Sequence, residues 1–269
     1  MGKISKLLRG IKMLLQQPAL INNIINAEEF HKKEVVEKYK LIHGLKEISF
    51  FDLLNDNKIT LNNFAFLDGG SLPTDLSFIQ LIAGKINADK YFEIGTWRGE
   101  SVAAARQIVE KCTTFNLSEK QMRDRRWDEK YIALHGYFSK KDTSIMHLEG
   151  DSRNFDFTPF YNQQDLVFID GDHHFDSVVN DTKIAFNLIK KDKGAIIWHD
   201  YAHSPEDVRW NVLHAILEGT PNELKHRLVA VSNTMCCAFL PFELPQKERI
   251  FPKTPQHYFT VEISSNKQL

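Results

Sequence analysis

Glu93-Ile94-Gly95-Thr96-Trp97-Arg98-Gly99-Glu100-Ser101 joins an apolar run, YFEIG (91–95), to a segment of helical spacing that opens at Glu100. Glycine tolerates a sharp backbone turn and close approach because it lacks Cβ, so Gly95 reads as the turn after a strand and Gly99 as close packing at a helix start. N–H groups at such a start can receive a carboxylate. Glu93, at the strand end, is suited to an ammonium group. A ligand carrying both charges of an amino acid finds partners here. The spacing is G-x-x-x-G, which differs from the G-x-G-x-x-G that carries a pyrophosphate.

The surrounding sequence alternates between two periods. Strand-like runs lie at 91–95, 113–117, 144–150, 165–170, 194–199, 228–232 and 236–240, with helical spacing over 75–86, 100–111, 119–135, 176–191 and 205–217. Near-continuous apolar strands separated by helices predict a parallel sheet covered on both faces. The last two strands are joined by too few residues for a crossover helix, so they pair antiparallel. Residues 1–17 carry Ile4, Leu7, Leu8, Ile11, Leu14 and Leu15 on one helical face, with Lys6, Arg9 and Lys12 opposite. Pro18 ends that helix. A second helix, rich in Lys and Glu, is expected over 27–43. The polar stretch 55–70 reads as a boundary, giving an N-terminal helical extension (1–60) and a main domain (61–269).

Two further clusters stand at strand ends. Asp170-Gly171-Asp172-His173-His174 follows the fourth strand, and His199-Asp200-Tyr201 the fifth. In an open α/β sheet both face the crevice that Gly95 faces. Carboxylate and imidazole together suit a divalent metal or acid–base chemistry near neutral pH.

EIGTWRGES, through Glu93, Gly95, Thr96, Gly99 and Ser101, resembles motif I of class I S-adenosylmethionine (SAM)-dependent methyltransferases. The resemblance extends over roughly 72–240 and implies a Rossmann-like α/β fold, a mostly parallel seven-stranded sheet ending in an antiparallel hairpin. It implies SAM as cofactor and methyl transfer to a small-molecule hydroxyl (sugar, natural product or phenol). The family's acidic ribose ligand is replaced by Asn116, which can hydrogen-bond without charge. Gly150-Asp151-Ser152 resembles the adenine-side turn, and an Asx turn is the plain alternative. FIDGDHHFDSVVNDT and GAIIWHDY resemble a small-molecule O-methyltransferase subgroup, including relatives of macrocin and catechol O-methyltransferases. That implies Asp170 beside the cofactor, and Asp170, His199 and Asp200 around a divalent metal such as Mg²⁺. Imidazole at 199 departs from the family's acidic pair, which leaves metal dependence open and leaves Asp172, His173 and His199 as candidate bases.

Aromatic Trp127, Tyr131, Tyr137 and Phe138, beside Arg123, Arg125 and Arg126, read either as a substrate wall or as an ordinary packed crossover. Asp170-Gly171-Asp172 also matches the D-x-D of metal-dependent glycosyltransferases. The histidines and carboxylates suit a metal hydrolase too. A degenerate SAM-binding module acting through a protein partner is the nonenzymatic alternative. Lys plus Arg (34) balances Asp plus Glu (35) at net charge -1, which disfavours nucleic acid. Three cysteines, Cys112, Cys236 and Cys237, form neither a disulfide framework nor a CxxC site, as expected of a cytoplasmic protein. The N-terminal helix is expected to pack on the main domain or across a homo-oligomer rather than on a membrane.

Overall fold

A computed structural model describes residues 2–21, 27–54, 58–62, 64–67 and 69–264. In chain order the helices are α1 (Lys3–Gln16), α2 (Glu28–Tyr39), α3 (Pro73–Lys85), α4 (Glu100–Arg106), α5 (Glu119–Asp124), α6 (Glu129–Ile132), α7 (Phe175–Leu188) and α8 (Trp210–Gly219). The strands are β1 (Glu47–Ile48), β2 (Lys90–Ile94), β3 (Lys111–Asn116), β4 (Ile145–Glu149), β5 (Leu166–Ile169), β6 (Ala195–Trp198), β7 (Ala202–Ser204), β8 (Asp207–Val208), β9 (Leu228–Val231), β10 (Cys237–Phe239) and β11 (Gln246–Lys247).

One sheet runs β11-β1-β9-β10-β6-β5-β2-β3-β4. Every pairing from β6 through β5, β2 and β3 to β4 is parallel. β10 lies antiparallel between β6 and β9, as the short 232–236 connection requires. All seven expected strands are present. Two more were not expected, because a two-residue strand leaves no period-2 signal: β1 pairs parallel with β9, and β11 antiparallel with β1. Nine strands therefore replace seven. Ile48, Phe50 and Leu53 join the core, so part of 1–60 belongs to the sheet itself. Of the 55–70 boundary, 55–57, 63 and 68 lie outside the described residues.

Alternation along each strand divides the apolar residues between two layers. Phe92, Ile94, Val167, Ile169, Ile196 and Trp198 pack beneath α7 and α8. Tyr91, Leu166, Phe168, Ala195 and Ile197 pack beneath α3 and α4. Helix α2 docks on α8 through His31 Nδ1 to His214 Nδ1 (2.9 Å) and Tyr39 Oη donating to Glu218 (2.6 Å). The 119–135 helix divides in two where Arg126 adopts φ 61° and Asp128 caps α6 by accepting from the Lys130 amide. The expected start of α8 at 205 gives way to the β7–β8 hairpin.

Candidate active site

From β2 the chain builds outward to β3 and β4, then returns to place β5 and β6 on the other flank. The carboxyl ends of β2 and β5 therefore border the crevice where ligands bind in open α/β sheets. Glu93, Gly95, Thr96, Asn116, Asp151, Ser152, Asp170, His199 and Asp200 all sit at this rim.

Gly95 has φ 97°. Its amide donates to Phe115 O (2.8 Å), and the Asp170 amide donates to Ile94 O (2.8 Å). A Cβ here would collide with the Asp170 carbonyl and the Gly171 amide nitrogen. The glycine therefore serves the close approach of one strand end to the next. Gly95→Ala is expected to cost about 3 kcal/mol, from left-handed backbone strain plus overpacking. Urea denaturation measures this; unchanged stability with SAM affinity alone lost would return the glycine to the ligand. Gly99, at φ 79°, leads into α4 and packs against Ser139.

Glu93 is fully buried. It accepts hydroxyls from Tyr91 (2.7 Å) and Thr114 (2.8 Å), while Thr114 meets Thr96 at 2.6 Å. Burial pushes its carboxyl up to about 8, against hydrogen bonds from Ser101, Tyr91 and Thr114. A hydroxyl network thus holds the Glu93 carboxyl behind the loop.

At the end of β3, Asn116 is half-buried and its backbone carbonyl accepts the Gly150 amide (2.8 Å). Asp151 is clamped by Arg125 (2.6 Å) and by Arg153 (2.6 Å), and these bonds, Arg153 first, hold its carboxyl well below the usual range. Ser152 accepts from Asn180 (3.3 Å). The 119–139 segment covers the glycine loop: Trp97 O accepts the Gly136 amide (2.6 Å) and Arg98 O the Phe138 amide (2.9 Å). Trp97 stacks on Tyr131, and Trp97 and Trp127 both meet His135 edge-on. Burial pushes His135 down to about 4, so it is a neutral element of an aromatic wall.

The second half of the crevice is a charge network. His199, almost fully buried, directs Nδ1 at Asp170 Oδ1 (3.1 Å) and Asp200 Oδ2 (3.0 Å), and Nε2 at Asp75 Oδ2 (3.1 Å). Burial would lower its pKa, but Asp170, then Asp200 and Asp75, raise it well above the ordinary value. Both ring nitrogens thus face carboxylates, which favour the protonated ring. The imidazole that joins Asp170 and Asp200 in the one candidate cation site among the described residues belongs to His173, with ligand atoms within 4.8 Å of one another.

Asp172 turns back on its own loop. It accepts from Ser177 Oγ (2.8 Å) and from the His174 ring and amide. Burial would raise its pKa, but those bonds prevail and hold it below the usual range. These bonds tie Asp172 to the start of α7. His173 is half-exposed, with Nε2 2.7 Å from Asp200 Oδ2. Burial lowers its pKa, but the Asp200 bond outweighs that and raises it above the ordinary imidazole value. Asp200, at φ 56°, also takes Arg209 on Oδ1 (3.1 Å). Burial would raise its carboxyl, yet His173 and His199 depress it far below the usual range.

Asp75 and Arg209 escaped the sequence reading. Asp75 signals only a helix start, since its carboxylate accepts the Leu72 amide (2.7 Å); Arg209 carried no signal.

Residues 92–201 match a family described as a methyltransferase domain. No curated protein matches the chain. Among solved structures, the S-adenosylhomocysteine-bound methyltransferase of Podospora anserina is 18% identical, with 66% of this chain and 82% of that one covered and a TM-score of 0.46. The O-methyltransferase of Bacillus cereus is 16% identical, with 78% and 96% covered and a TM-score of 0.41. A Bacillus halodurans protein is 20% identical, covering 50% of this chain but only about half (53%) of its own, with a TM-score of 0.37. The matched segment begins within β2 and ends past Asp200, so it contains the glycine loop and both acidic strand ends. The strand order places β10 antiparallel between β6 and β9, as the resemblance to the class I sheet required. The glycine loop and both acidic strand ends thus lie in a segment similar to a methyltransferase domain.

Proposed function

We propose that the protein transfers the methyl group of SAM to a hydroxyl of a small molecule, with His173 as general base and no divalent metal. The observation that carries this is the His173–Asp200 pair at the crevice mouth. With Nε2 committed to Asp200, Nδ1 is the nitrogen that takes the acceptor proton. Bound SAM supplies an activated methyl on a sulfonium, and displacement needs the nucleophile held in line and its proton removed. Thr96, Ser101 and Glu93 fix the loop at the methionine end. Asn116, Asp151 and Ser152 receive the nucleoside, and Asp170 closes the floor. Trp97, Tyr131 and His135 wall the acceptor. Three buried free cysteines fit a reducing, cytoplasmic setting.

Asp170, His173 and Asp200 have metal-like donors, but Asp170 and Asp200 already face the His199 imidazolium, and Asp200 also faces Arg209. Two cations there oppose a third that is doubly charged. Methylation of sugar and phenol hydroxyls by labelled SAM should continue undiminished after chelation with EDTA. Loss of activity restored by Mg²⁺ would reject the metal-free reading, and an N-methyl product would reject the hydroxyl acceptor.

A further inference from the structure

We propose that α1 is an in-plane anchor that docks the protein on an anionic lipid surface. Among its residues none is buried. Ile4, Leu7, Leu8, Ile11 and Leu15 are 46–79% exposed. With Leu14 they fill an arc of about 120° at 3.6 residues per turn, on a helix about 21 Å long. A Cβ on Gly10 would enter open space. The expectation that this face packs on the main domain is therefore not met in the structure.

Charge decides the occupant. Lys3, Lys6, Arg9 and Lys12 belong to α1, and no Asp or Glu precedes Glu28. Of 34 basic and 35 acidic residues in the chain, the first 27 hold four basic and no acidic ones. The remainder is thus net acidic, and its charge would keep it off the same lipid. Lys3 and Lys12 flank the apolar arc, where long side chains can reach headgroups while their stems stay apolar. Pairing α1 with a second copy would instead bring like charges together with no carboxylate on either helix to offset them. A helix with an apolar face, a cationic face and no great overall hydrophobicity lies in the bilayer interface. No helix among the described residues is long and apolar enough to cross a membrane. The anchor would bring the crevice to acceptors held at a lipid surface.

The test is sedimentation of the full chain with phosphatidylcholine vesicles, with and without phosphatidylglycerol. Binding is expected only with the anionic lipid. Replacing Lys6 or Arg9 by Gln should weaken partition about fivefold each, and Ile11→Asp should abolish it while SAM affinity, measured by calorimetry, stays unchanged. High salt should weaken binding, because surface charge is screened within about 8 Å already at physiological ionic strength. A full chain that stays in the supernatant with anionic vesicles overturns the proposal, as does Ile11→Asp protein that binds like the parent. A dimer dissociated by Ile11→Asp, with no vesicle binding, would show that the face pairs two copies.

Discussion

His173→Ala should lower turnover about 10²–10⁴-fold, the range over which a positioned base acts, with SAM affinity nearly unchanged. His173 touches Asp200 rather than the glycine loop, and its ring is half-exposed, so its removal leaves the fold intact. The pH profile separates this role from simple packing. The reactive form is the neutral imidazole, and the Asp200 bond raises the pKa above the ordinary value of 6.5. Activity should therefore rise with pH through that raised pKa and fall away below it. Asp200→Asn removes the charge that favours the imidazolium, so the rising limb should move to lower pH while maximal turnover drops. A His173→Ala enzyme with parental turnover, or an acid limb unmoved in Asp200→Asn, would remove His173 from the chemistry.

Asp75→Ala should destabilise the protein by about 3–5 kcal/mol, the cost of leaving one member of a buried ion pair uncompensated. Asp75 is fully buried. Besides His199 Nε2 it accepts the Leu72 and Met235 amides, at 2.7 Å and 2.8 Å. One carboxylate thus ties the start of α3 and the entry to β10 to the end of β6. The loss should depend on pH. His199 has a folded pKa well above its unfolded value. Its contribution is fully present below the unfolded value of about 6.5 and fades as pH rises through the folded one. Asp75→Ala narrows that window, so parent and variant should differ most at low pH, and in alkali the gap should shrink to what the two amide bonds contribute. Urea midpoints across pH measure this. A difference independent of pH would mean that Asp75 acts through its amide bonds alone.

The sequence by itself determined the elements and the rim. Apolar runs of period 2 and helical spacing are local properties, so seven strands and their parallel arrangement were legible, as was the antiparallel β9–β10 pair from its short connection. Motif spacing likewise put Glu93, Gly95, Asp170 and Asp200 at strand ends, because a strand end is fixed by its own residues. Roles were not fixed that way. Whether Glu93 faces a ligand or the core depends on Tyr91, Thr114 and Ser101 closing around it, contacts made by three elements. His173 and His199 both stand beside a carboxylate in sequence. Only packing placed Asp75, 124 residues distant, against the buried His199 ring, while His173 kept an open ring. β1 and β11 too were settled by tertiary pairing, since two residues carry no period of their own. Side-chain type and spacing say where a charge enters the crevice. Its protonation state is set by desolvation and by partners from distant parts of the chain, and only the folded sheet brings those together.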